Sequence, residues 1–342
     1  MDDATARELL GAYALDACDD GEAAAVEAFL ERDGEAAGEA LRLRETAAWL
    51  GATAALAPAP GLRETLLGRA RRMRPSPAEG GDDPALRLFR AQTDRFEALL
   101  DELTPDQLDV VTFNGLTVRE LVIHMAAMES AFAASVGSPT VDDVDAVAIE
   151  PRTYEMIDRF RDRPVADARE LWRRSVDALA AWAEHGHGRV AVPGVPGLDL
   201  SRHSMLVTRA FETWTHDDDV RRALGRPLVV PPPEHLRLMA DVSTRGLPLG
   251  LLALDRVREG RRAIVRLTGE GGGVWTVPFE MGANRVVEGA EADADLVLTV
   301  DVVDWCRMAS QRLAPAAMAF TTEGAAELAD DLFAAAPAFA TL

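Results

Sequence analysis

Ala210-Phe-Glu-Thr-Trp-Thr-His-Asp-Asp-Asp219 sets a carboxylate and an imidazole, Glu212 and His216, four residues apart. On an α-helix that spacing stacks both side chains on one face. A second histidine, His124, lies in a separate apolar run, Leu121-Val-Ile-His-Met-Ala-Ala-Met128. The run follows Thr117-Val-Arg-Glu120, a capping-box pattern, so a helix is expected to begin at Thr117. Taken singly these signals are weak. A lone histidine on an apolar face is commonly a satisfied core residue, and a Glu-x-x-x-His pair is commonly a solvated ion pair. Two imidazoles and one carboxylate on facing helices of one bundle, however, can hold a divalent metal and leave one coordination position open. His124, Glu212 and His216 are therefore the candidate metal ligands.

Outward from these residues, the chain divides at Pro75-Ser-Pro-Ala-Glu-Gly-Gly-Asp-Asp-Pro84, whose proline, glycine and acidic residues mark a linker. Residues 1–74 read as a small helical domain, with amphipathic helices over Ala4–Leu15, Asp20–Arg32, Glu35–Leu56 and Gly61–Met73. Residues 85–228 read as a four-helix bundle: Ala85–Leu103, a helix from Thr117, Val165–Glu184 and Ser201–Leu224, ending at the Gly225-Arg-Pro227 stop signal. The stretch between the second and third helices, rich in Gly, Pro, Asp and Val, reads as a loop. Residues 229–342 mix types. Helices are expected over Pro233–Arg245, Val303–Arg312 and Gly324–Ala335, and strands over Ala263–Thr268, Val274–Phe279 and Leu296–Val300. Gly271-Gly-Gly273 lacks the lysine of a phosphate loop and reads as a hairpin turn. The fold class is thus mainly α, with an α+β C-terminal domain.

Composition narrows the function classes. The 342 residues carry a formal net charge of -21, which disfavours nucleic acid and anionic lipid as direct partners. All 36 cationic residues are arginine; with the alanine excess this reads as a GC-rich coding bias of the actinobacterial kind. Two cysteines, Cys18 and Cys306, fit a reduced, cytoplasmic setting. Neither a signal peptide nor a membrane span is expected from the residues given.

At this point the residues resemble a known family. Phe113-Asn-Gly-Leu-Thr-Val-Arg-Glu-Leu-Val-Ile-His124, then Thr208-Arg-Ala-Phe-Glu-Thr-Trp-Thr-His216 and Ala223-Leu-Gly-Arg-Pro227, are similar to mycothiol-dependent maleylpyruvate isomerases, which are DinB-like metalloproteins. The resemblance implies zinc held by His124, Glu212 and His216, and a sterol-carrier-like α+β domain over residues 229–342. It also implies mycothiol as a thiol cofactor, with its sulfur adding to an electrophilic small-molecule substrate. Leu116 departs from the family, which often has tryptophan after Asn-Gly.

A second resemblance covers Leu9-Leu-Gly-Ala-Tyr-Ala-Leu-Asp-Ala-Cys-Asp-Asp-Gly-Glu-Ala-Ala-Ala-Val-Glu-Ala-Phe-Leu30, which looks like the anti-sigma domain of zinc-binding anti-sigma factors. Their His-x-x-x-Cys-x-x-Cys ligands fall on Phe29, Asp33 and Ala36, so all three are missing. Two functions stay open. One is a zinc- and mycothiol-dependent isomerase or thiol transferase. The other is an anti-sigma or transcriptional regulator that binds a sigma factor through residues 1–74, with the metal domain as sensor or inactive relic.

The other polar residues read as surface. Asp217, Asp218 and Asp219 form a solvated acidic face, the alternative being that one of them accepts a hydrogen bond from a ligand imidazole. Arg209 reads as a surface ion-pair partner of Glu212, the alternative being contact with an anionic substrate. His185, His187, His203 and His235 read as exposed.

Overall fold

A computed structural model describes residues 2–30, 32–53, 83–113, 115–138, 149–185, 188–195, 197–281, 286–290 and 293–338. The chain separates into two compact units, Met1–Pro77 and Ala78–Leu342. The expected helix Gly61–Met73 and most of the expected linker lie outside the described residues.

The first unit contains α1 (Asp3–Glu8), α2 (Leu10–Ala14), α3 (Asp20–Leu30) and α4 (Gly34–Thr53). The stretch expected as one helix over Ala4–Leu15 is interrupted at Leu9, which serves as C-cap of α1 and N-cap of α2. Its core is small: Ala6, Leu10, Val26, Phe29, Ala36 and Ala40. Asp33 opens α4, its carboxylate accepting from the backbone N–H groups of Glu35 and Ala36, each at 3.0 Å.

The second unit begins with a helical bundle: α5 (Pro84–Asp101), α6 (Val118–Ser135), α7 (Ile149–Phe160), α8 (Val165–His185) and α9 (Arg202–Ala223). Asp83 caps α5 and Thr117 caps α6 with both halves of the capping box in place. Among the described residues the bundle has five helices where the sequence reading has four. The additional one, α7, occupies part of the stretch read as loop. Its Pro151 sits in the first turn, where a missing N–H breaks no intrahelical hydrogen bond. Every residue of α6 from Leu121 to Ala133 is buried, so this helix is wrapped on all sides, by α7 and α8 among others. Between α8 and α9, β1 (Arg189–Ala191) and β2 (Asp199–Ser201) form a short antiparallel ribbon.

The rest of the unit is α+β. A five-stranded sheet runs in the order β5-β4-β3-β6-β7, with β3 (Arg262–Thr268), β4 (Gly273–Pro278), β5 (Val287–Glu288), β6 (Leu296–Asp301) and β7 (Phe320–Gly324). Strands β3 and β6 are parallel; the other pairs are antiparallel. Helices α10 (Pro233–Ala253), α11 (Val302–Ala309) and α12 (Glu327–Ala335) pack on it. The Gly271–Gly273 stretch is the turn between β3 and β4. Gly271 has φ +86°, and a Cβ there would strike the Pro233 carbonyl. Two expectations need correcting. Helix α10 runs to Ala253 rather than Arg245, because Leu247, Pro248, Gly250 and Leu251 are buried in the core and outweigh the local cost of proline. Gly250 lets α10 touch the backbone of Ala335 in α12. Strand β7 precedes the last helix, which starts at Glu327 rather than Gly324; its pairing with β6 supplies what its weak alternation does not. No described helix is long and apolar enough to cross a membrane.

Candidate metal centre

Helices α6 and α9 bring the three candidate ligands together. One donor atom from each of His124, Glu212 and His216 lies within 4.8 Å of the other two. His124 Nε2 is 3.4 Å, and His216 Nε2 3.9 Å, from Glu212 Oε1. The two imidazoles meet edge to face, with ring centres 5.2 Å apart.

The opposite atom of each side chain is anchored. His124 Nδ1 lies 2.9 Å from the Thr153 hydroxyl, presented by α7. His216 Nδ1–H donates to Asp219 Oδ2 at 3.0 Å. The second oxygen of Glu212, Oε2, accepts from Arg209 Nη1. What remains are His124 Nε2, Glu212 Oε1 and His216 Nε2, all buried and all without a hydrogen bond. Buried polar atoms are nearly always paired, because an unpaired one forfeits its water without compensation. Three such atoms converging within 4.8 Å have the chemistry of a divalent-cation donor set: two imidazole nitrogens and a carboxylate oxygen. Both imidazoles are fully buried, and the Glu212 side chain is 15% exposed.

Electrostatics favour the same atoms. Burial pushes His124 below the usual histidine range, which keeps a nitrogen lone pair free at neutral pH. Burial also works to raise Glu212, but Arg209 and the two imidazoles outweigh it and hold its carboxyl well below the usual carboxylate range.

Residues 89–221, which include all three candidate ligands, match the family model described as the mycothiol maleylpyruvate isomerase N-terminal domain. That stretch is similar to the family's domain. Two uncharacterized proteins, from two strains of Mycobacterium tuberculosis, are each 29% identical over 118 residues, or 34% of this chain. The aligned part of this chain spans 40% of their length. Crystal structures of the mycothiol-dependent maleylpyruvate isomerase and of a point mutant of it superpose with TM-scores of 0.46 and 0.45. Each has 18% identity and covers 69% of this chain and 91% of the solved one.

In the bundle the polar residues flanking the candidate ligands are not surface groups, contrary to the local reading. Asp217, Asp218 and Asp219 are all buried. Asp217 pairs with Arg221, Asp218 with Arg307 and Asp219 with Arg312. Arg307 lies in the last turn of α11 and Arg312 follows that helix, so the α+β part of the unit neutralises two acids of the bundle. Arg312 grips Asp219 through Nε and Nη2, at 3.0 and 2.7 Å, while Asp219 holds His216. Burial works to raise Asp219, but its bonds from His216 and Arg312 bring its carboxyl down to about 2. Asp217 and Asp218 are pushed upward by burial instead. Arg209, also read as surface, is 1% exposed and bridges Glu212 to Glu129, a residue that sequence reasoning missed. An acidic residue inside the apolar run of α6, at Glu129, was the one signal available for it.

The other histidines divide. His185 and His203 are exposed as expected, and His187 lies outside the described residues. His235 is half-buried, its Nδ1 3.2 Å from Gln92 Nε2. Leu116 is buried just before α6, its carbonyl accepting from both the N–H and the hydroxyl of Thr112. In the first unit, Phe29 and Ala36 are core residues and Asp33 is a helix cap; among the described residues the His124–Glu212–His216 group is the cluster suited to a metal.

Proposed function

We propose that the chain binds a divalent metal, zinc in the first instance, through His124, Glu212 and His216, and works with mycothiol in maleylpyruvate isomerase-like chemistry on an electrophilic small molecule. The three unpaired buried atoms carry this reading, because packing alone does not account for them. The match to the mycothiol maleylpyruvate isomerase domain family supports the thiol cofactor.

A bound divalent cation at this position would lower the pKa of a thiol, which otherwise stays mostly protonated at neutral pH with a pKa of about 8.5. The chain's own residues have defined parts. Asp219 accepts the Nδ1 proton of His216 and so leaves Nε2 as a lone pair. A proton on His124 Nδ1, shared with the Thr153 hydroxyl, does the same for His124. Arg209 occupies one oxygen of Glu212 and leaves the other to face the imidazoles. The nucleophilic sulfur has to come from a cofactor. Cys306 is buried in α11 with its thiol pushed far up by burial, and neither cysteine belongs to the cluster.

The test is metal analysis of the purified chain, then replacement of the metal by cobalt(II) and titration with mycothiol. The expected result is about one metal per chain and a sulfur-to-cobalt charge-transfer band on adding the thiol. Metal bound without any spectral response to mycothiol would remove the thiol chemistry and leave a metal-binding protein.

A further inference from the structure

We propose that Glu129 is the countercharge of the metal centre: by neutralising Arg209, it leaves the negative charge of Glu212 to a divalent cation. This inference rests on the metal reading above and concerns a residue outside the donor set.

Arg209 lies between two carboxylates. Its Nε is 3.2 Å from both oxygens of Glu129, and its Nη2 is 3.0 Å from Glu129 Oε1. Its Nη1 donates to Glu212 Oε2. One edge of the guanidinium fork is therefore given to Glu129, and a single N–H to Glu212. The Phe132 ring lies 5.0 Å from the guanidinium carbon and helps to shut out water. Arg209 and Glu129 are 1% and 0% exposed, so solvent screens this triad little.

The charge count decides what Glu129 does. Arg209 and Glu212 alone would sum to zero, and a neutral pair attracts a dication weakly. A buried arginine beside a ligand carboxylate is thus adverse to metal binding unless something offsets it. Glu129 brings the three side chains to a net charge of -1, directed at the imidazole nitrogens. The arrangement links the two helices that supply the ligands, because Glu129 shares α6 with His124 and Arg209 shares α9 with Glu212 and His216. Glu212 alone would suffice to pair Arg209 and brace α9; Glu129 adds a second buried carboxylate to a guanidinium that already has a countercharge.

The experiment uses the full chain with cobalt(II) as the probe, its affinity measured by competition with a chromophoric chelator. Glu129→Gln keeps the shape and a hydrogen-bond acceptor for Arg209 but removes the charge. It is expected to weaken cobalt binding about 10- to 100-fold, the range for residues one layer behind metal ligands, with unchanged circular dichroism. Combining Glu129→Gln with Arg209→Met removes both charges and restores the balance. This double variant is expected to bind within about tenfold of the unsubstituted chain and more tightly than Glu129→Gln alone. Folding is not at risk in the same way there, because replacing a whole buried ion pair is commonly tolerated while breaking one is not.

A folded Glu129→Gln chain with affinity within about twofold of the original would overturn the inference, being well short of the loss expected at such positions. So would a folded double variant that binds no more tightly than Glu129→Gln. Should Glu129→Gln fail to fold, a folded double variant more than about 100-fold weaker than the original would overturn it as well. An unsubstituted chain that takes up no cobalt removes the metal reading itself, a separate failure that the first measurement detects.

Discussion

The first unit and the bundle fill their helical interiors in opposite ways. In the first unit, the sequence reading sets Phe29, Asp33 and Ala36 against the zinc ligands of another family. Phe29 and Ala36 are packed into the core, and Asp33 closes a helix end through two hydrogen bonds. In the bundle, His124, Glu212 and His216 each leave one buried polar atom without a hydrogen bond. Packing and capping alone account for the three positions of the first unit. A buried donor set left unpaired is costly, and it persists where something else is to be bound.

The largest effect separating the regions is expected from His124→Ala, Glu212→Ala and His216→Ala combined. Bound metal should fall from about one per chain to none, read by elemental analysis, with circular dichroism unchanged. Retention of the metal in that variant would move the site elsewhere and erase the contrast. Next comes Phe29→Ala. Truncating a buried phenylalanine costs about 3 to 5 kcal/mol, enough to unfold a core as small as that of the first unit. Protection from hydrogen exchange should then be lost across α3 and α4 while metal content stays the same. Loss of metal in this variant would mean that the two units are not independent in function.

A smaller effect tests the anchoring of His216. Asp219→Asn keeps the size but weakens the acceptor for the imidazole and leaves Arg312 without its full countercharge. Metal affinity is expected to fall about 10- to 100-fold, measured by chelator competition. An unchanged affinity would show that Asp219 serves only to join the bundle to the α+β part.

These contrasts also explain what could be read from the sequence. Local patterns were legible because the physics behind them is local. Thr117 and Glu120 form their capping box within one turn, and Glu212 and His216 sit one turn apart on α9. The hairpin at Gly271–Gly273 follows from backbone freedom alone. The errors were non-local. Asp218 and Asp219 look solvated until Arg307 and Arg312 arrive from 89 and 93 residues downstream. Arg209 looks like a surface residue until Glu129 arrives from 80 residues upstream. A charge run reads as exposed by default, and only tertiary partners make its burial tolerable. Helix α7 was lost for a related reason. Thr153 and Arg152 gain their roles only against α6, where they meet His124 and the Ala127 carbonyl, respectively.

The smallest expected effect is at Asp33, where cap and charge can be told apart. Its carboxylate accepts from the backbone of Glu35 and Ala36 and also lies 4.0 Å from Arg7. Both partners of that ion pair are about a third or more exposed, so water screens it and it contributes little. The cap contributes more, about 1 kcal/mol, because it satisfies N–H groups that have no intrahelical acceptor. Asp33→Ala should therefore speed exchange of the first-turn amides of α4 about fivefold, the equivalent of that ~1 kcal/mol. Asp33→Asn keeps an acceptor at the same place and should leave the exchange rates nearly unchanged. If both variants speed exchange equally, charge rather than capping holds this end of α4.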